Sequence, residues 1–125
     1  LLGVSTISND MRDLLVSTDP RAGEAIDLFV YHIAKHGAAL ASAMEGMDTL
    51  VFTAGIGEHS PEIREQVCRR MAWLGIELDP DANRRGGPLI STESSPISAW
   101  VIPTNEERMI AIHTLRVLGE GKGNQ

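Results

Sequence analysis

Apolar positions set the first outline of this chain. Ile26, Phe29, Val30, Ile33, Gly37, Leu40, Ala41 and Met44 recur at helical spacing, which predicts one long helix opened by Asp19-Pro20 and ended near Gly46. A shorter helix over about Asn9 to Ser17 precedes it, with Ser8 and Asp10 as capping residues. The run Thr49 to Ala54 is short, apolar and rich in β-formers, so it predicts a buried strand, broken by Gly55-Ile56-Gly57. Ser60-Pro61-Glu62 then supplies a cap, a first-turn proline and a first-turn acid for another helix, which turns Ile63, Val67, Met71 and Leu74 inward and stops at Gly75.

The remainder alternates short strands and turns. Ile76 to Leu78 and Pro88 to Ser91 are brief strand candidates on either side of a turn-rich stretch, and Thr92 to Pro96 is a polar loop. Ile97 to Ile102 predicts a strand closed by Pro103. Thr104 and Glu107 have the capping-box spacing for a last helix striped by Met109, Ile110, Ile112, Leu115 and Leu118. The alternation of helices and strands predicts an α/β fold. Its strand-to-helix joints, after Ala54 and after Pro103, are the kind of place where open α/β sheets bind ligands.

Composition narrows the function classes. Lys plus Arg is 11 and Asp plus Glu is 17, so the net charge is 11 − 17 = −6, which gives no basic footprint for nucleic acid. No apolar run reaches the ~20 residues of a membrane span, and no signal-peptide pattern is present. With Cys68 the single cysteine, no internal disulfide forms, and a reducing, cytoplasmic setting is expected. Cys68 itself reads as a small buried hydrophobe. The start at Leu1-Leu2-Gly3, without Met, suggests a truncated chain. In the long helix, Gly37, Ala38, Ala39, Ala41, Ser42 and Ala43 admit close packing, either within the domain or between subunits.

Three segments carry candidate chemistry. The first is Val51 to Pro61, where a strand runs into two glycines and then into a helix start. Glycine lets backbone approach a ligand, and helix-start N–H groups suit phosphate. It lacks the full dinucleotide-binding and P-loop spacings. In the second, Ile102 to Glu107, Glu107 has a capping role open to it, whereas Glu106 is free to hold Mg²⁺, directly or through water. In the third, Ser8 to Arg12, Asp10 and Arg12 read as a cap and a surface cation; Arg can also stack on a flat base and Asp accept from ribose hydroxyls, but alone the motif is weak. His32 and His36 are four apart but lack the acid of a zinc-protease helix, and His113 reads as structural. No activated nucleophile stands out.

Together these motifs are similar to those of the acetate kinase family. Phe52 to Arg64 resembles the family's FTAGIGENSPxxR segment, and Gly3 to Asp13 its GxSxxSxDxRD segment. Leu74 to Asp79 and Val101 to Glu107 match two more stretches in the right order, so the resemblance spans about Leu2 to Leu118. It implies a ribonuclease H-like fold of the acetate and sugar kinase/Hsp70/actin superfamily. Residues 1–118 would then be the C-terminal part of the nucleotide-binding domain, and 119–125 a flexible tail. The implied reaction is reversible transfer of phosphoryl from ATP to acetate, with Mg²⁺. The implied nucleotide contacts are Asp10, Met11, Arg12 and a loop of Gly55, Ile56, Gly57, Glu58 and His59, with Glu106 near the metal. A homodimer formed through this region is implied as well.

Three departures from the family pattern stand out. His59 replaces the usual Asn, Arg108 an apolar residue, and the glycine of the long helix is shifted to Gly37. The family's catalytic Arg, Asp and His and its acyl pocket correspond to sequence upstream of Leu1. The chain is therefore expected to be inactive alone, with propionate or butyrate as alternative acceptors. A non-catalytic nucleotide-binding or dimerisation remnant is the other reading.

Overall fold

The computed structural model describes residues 11–104. Asp10, Glu106, Glu107, His113, the last helix and the tail predicted above therefore lie outside the described residues. Helix α1 spans Met11–Val16 and buries Met11 and Leu14. Helix α2 spans Pro20–Ala43; Asp19 caps it by accepting from the Arg21 amide at 2.9 Å, and Pro20 fills the first turn, where no amide donor is needed. Its end is a Schellman motif. The Gly46 amide donates to the Ala41 carbonyl and the Glu45 amide to the Ser42 carbonyl. The left-handed residue is Glu45 (φ 60°), one position before the predicted glycine, which follows at φ 144°.

The α2 stripe is only partly inward. Ile26, Val30 and Ala41 are buried, whereas Leu40 and Met44 are exposed, facing away from the described elements that pack on the helix. Strand β1, Thr49–Phe52, pairs in parallel with β2, Ser98–Val101, in the register Thr49↔Ser98 to Phe52↔Val101. β1 is shorter and less buried than predicted. Phe52 is buried but Val51 is exposed, since β2 is its one partner among the described residues. The strand cannot continue, because Ala54 takes φ 56° and turns the backbone out of the sheet.

Gly55 and Gly57 do not form an open loop. Residues Gly55–His59 make a short helix, α3, and Ser60 then caps α4, Pro61–Arg70, by accepting from the Ile63 amide. A 3₁₀ turn, Ala72–Leu74, follows and is closed by Gly75 in the left-handed conformation (φ 118°). Asp79 caps α5, Pro80–Arg84, inside the stretch predicted as turns. The two brief strand candidates reduce to isolated bridges, Ile76↔Ile97, Leu78↔Ser91 and Leu89↔Trp100. Two side chains explain this. Pro88 has no amide to donate, and the Ser91 hydroxyl, rather than a ladder carbonyl, accepts from the Ala99 amide at 3.0 Å.

One core joins these pieces: Leu14, Ala22, Val30, Ile63, Val67, Met71, Ile90 and Ala99 lie in a single buried cluster. Among the described residues no helix is long and apolar enough to cross a membrane.

Candidate functional site

The glycine turn after β1 holds its shape through a residue outside the predicted site. A helix of five residues satisfies few of its own backbone groups and leaves its last carbonyls without helical partners. Arg64, on α4, supplies partners for two of them. One guanidinium nitrogen donates to the Gly57 carbonyl at 3.1 Å and to the Glu58 carbonyl at 2.8 Å. The opposite side of the group reaches α5, where Nε donates to Asn83 Oδ1 and the other terminal nitrogen to the Asn83 carbonyl, both at 2.7 Å. Asn83 completes the tie by donating from Nδ2 to the Pro61 carbonyl at 2.9 Å.

Arg64 is 1 % exposed. Burial lowers its pKa from the usual arginine range, and Cys68 and Glu62 oppose that shift. In the sequence Arg64 closes the Phe52 to Arg64 segment without a role marked by its spacing. The available signal was its position, next to Ile63 and four residues before Cys68 on the inward face of α4.

Above this turn lies a cavity of about 620 Å³, a size suited to a small organic ligand. Its walls are Met11, Arg12 and Leu15 of α1, Gly55, Ile56 and His59 of α3, and Ser60 and Glu62 at the start of α4. Of the sequence-predicted residues, Met11, Arg12, Gly55, Ile56 and His59 therefore meet at one cavity. Gly57 and Glu58 do not line it; their carbonyls face Arg64. Leu15, Ser60 and Glu62 also line it, and no sequence motif marks them for ligand contact.

Gly55 has φ 42°, where a side chain is disfavoured, and a Cβ there would meet nothing within 4 Å; the backbone conformation sets the need for glycine. Ala54 holds a positive φ without that freedom, so strained backbone opens directly onto the cavity. His59 is exposed, with Nε2 3.7 Å from Glu58 Oε1.

Other candidate chemistry is quiet. The rings of His32 and His36 stack with centroids 6.5 Å apart, and the described residues contain no group of three His, Cys, Asp or Glu suited to a metal. Cys68 is buried, and burial pushes its thiol up to about 12, against the opposing pull of Arg64. Such a thiol is a packing residue, as its sequence context suggested.

Comparison with known proteins gives a consistent placement. The model of the Acetokinase family matches residues 1–112. An acetate kinase of Rhodopseudomonas palustris (strain TIE-1) is 58% identical over 124 residues, which are 98% of this chain and 31% of that protein. The crystal structure of Porphyromonas gingivalis acetate kinase superposes with a TM-score of 0.86 at 39% identity, covering 94% of this chain and 31% of the other. A propionate kinase from Francisella tularensis superposes at 0.79 with 36% identity, covering 88% and 29%. The chain thus spans about a third of the length of the relatives it matches. It shares their α/β fold, that of the acetate and sugar kinase/Hsp70/actin group. By this match over most of its length, the chain belongs to the acetokinase family.

Proposed function

We infer that this chain supplies the nucleotide-binding wall of an acetate kinase, residues 1–118 forming the C-terminal part of the nucleotide-binding domain and 119–125 a tail. The observation that carries this reading is the cavity that sets Met11 and Arg12 of α1 opposite Gly55, Ile56 and His59 of α3. Arg12 offers a flat cation for a base, Met11 and Ile56 an apolar face, and Gly55 a backbone that a phosphate or ribose can approach closely. Asp10 would add acceptors for ribose hydroxyls. Gly57 and Glu58 belong to the site through the backbone of the turn. Glu106 would hold Mg²⁺, which neutralises nucleotide phosphate charge when bound.

The reaction is reversible transfer of the γ-phosphoryl group of ATP to acetate, giving acetyl phosphate and ADP. Phosphoryl transfer depends on positioning and on cationic stabilisation of the moving group. This chain is assigned the positioning of the nucleotide and no catalytic residue, so it is inactive by itself. A cytoplasmic homodimer is the proposed setting of the whole enzyme.

Titration of ADP with Mg²⁺ into the wild-type chain and Arg12→Ala tests the pocket: affinity falls in the variant, and equal affinity would count against the assignment. Acetyl phosphate made from ATP and acetate by the 125-residue chain alone would refute its inactivity. The similarity to a propionate kinase keeps a second acceptor in view. Assay of the complete enzyme with acetate, propionate and butyrate decides between them. A non-catalytic remnant would bind nucleotide but show no turnover with any of the three.

A further inference from the structure

We propose that Arg64 is a positioning residue for the nucleotide pocket, acting through the backbone of α3. The proposal rests on the reading of that cavity as the nucleotide site. α3 has five residues, begins at a strained Ala54 and closes only two backbone bonds with its flanks, Glu58 amide to Ala54 carbonyl at 3.2 Å and Ser60 amide to Ile56 carbonyl at 3.0 Å. A segment of that length does not hold a helical turn unaided. The Arg64 guanidinium reaches its C-terminal carbonyls from one side and Asn83 from the other, with four acceptor distances between 2.7 and 3.1 Å. The residues on the far face of the same turn, Gly55, Ile56 and His59, line the cavity.

Arg64 therefore touches no ligand but sets the height and tilt of the turn that does. Its planar fork is what suits it to the task, because four acceptors lie on two elements. Lysine, with one nitrogen, keeps the charge but cannot span them.

The test compares the wild-type chain, Arg64→Lys and a control, Ile90→Val, which trims the core at a fully buried site. Amide exchange by NMR and ADP–Mg²⁺ affinity are measured well below all three melting temperatures. In Arg64→Lys, exchange at Glu58 and Ser60 rises at least tenfold, while Ile90 and Val101, bonded within the β2 region, keep their protection. ADP affinity falls at least tenfold, and Ile90→Val changes neither readout. Loss of protection throughout the chain would overturn the proposal and leave Arg64 a general core residue; so would unchanged ADP affinity with a loosened α3. If the wild-type chain binds no ADP, the nucleotide reading falls, and the exchange pattern alone decides whether Arg64 anchors the turn.

Discussion

Two glycines of α2 offer a sharp test of how the small-residue stripe packs. Gly23 is exposed, and a Cβ there would meet nothing within 4 Å. Gly37 lies against the core, and a Cβ there would come 2.9 Å from the Met71 methyl and 3.4 Å from its sulfur. Alanine in a helix interior is favoured over glycine by about 0.8–1 kcal/mol. Gly23→Ala realises that gain with no opposing term.

Gly37→Ala must in addition displace a buried methionine tip. Met71 is 1 % exposed, yet it borders a groove of about 420 Å³ shared with Leu40 and Leu50, so its methyl has somewhere to move. Moving a core side chain off its preferred rotamer or overpacking it costs about 1–2 kcal/mol. The two substitutions should therefore differ by about 1–2 kcal/mol, with Gly23→Ala stabilising and Gly37→Ala neutral or worse. For a chain of this size that is a melting-temperature separation of about 4–8 °C. Thermal and urea unfolding followed by circular dichroism measure it. In a Met71→Ala background the gap closes, because the obstructing methyl is gone. Equal shifts from the two single substitutions would refute the close Gly37–Met71 packing.

Two further outcomes follow from charge and burial. Hydrogen bonds from the Arg21 side chain and backbone lower the Asp19 carboxyl to about 2. Its folded value is depressed, so its contribution to stability is present above the ordinary value of 3.8 and is lost as pH falls through about 2. An NMR titration should place its midpoint near 2, and Asp19→Ala should flatten the acid limb of the stability curve. Cys68 is raised from 9.0 to about 12, so its contribution is fully present below about 9 and lost as pH rises through about 12. At pH 8 a disulfide reagent should label it at least about a hundredfold more slowly in the native chain than in urea, and Cys68→Ala should weaken the alkaline decline.

The elements most legible in the sequence are those whose signals are local. Asp19-Pro20 and Ser60-Pro61 mark helix starts because cap and proline act within one turn, and Gly75 marks a stop because its left-handed backbone is a one-residue property. The α3 helix was hidden for the opposite reason. Two glycines read as a break, and what holds them helical is Arg64, seven residues from Gly57 and bonded at its other side to Asn83, 19 residues further on. Leu40 and Met44 follow helical periodicity and still face outward, since spacing says which residues share a face but not where covering elements end. Within the site, no periodicity brings Met11 and Arg12 to Gly55 across some 40 residues. That juxtaposition was legible through the order of family motifs, while Asp10 and Glu106 lie outside the described residues.

The parallel pairing of β1 with β2 closes a long loop of the chain. Thr49 and Ser98 are 49 residues apart, and closing a loop of that length costs roughly 3.4 kcal/mol in chain entropy before a pair contact forms. Four paired residues per strand return little until the loop's contents are packed. In the folded chain α4 packs on α2 and α5 on α4, and these contacts offset the cost of closing the loop. The turn bearing Gly55 leaves the end of β1 and is tied to both α4 and α5 by one guanidinium. Both ends of that tie, Gly57 and Asn83, lie inside the segment that the strand pair closes, so the cavity's glycine turn and its anchor are enclosed by the same 49-residue loop.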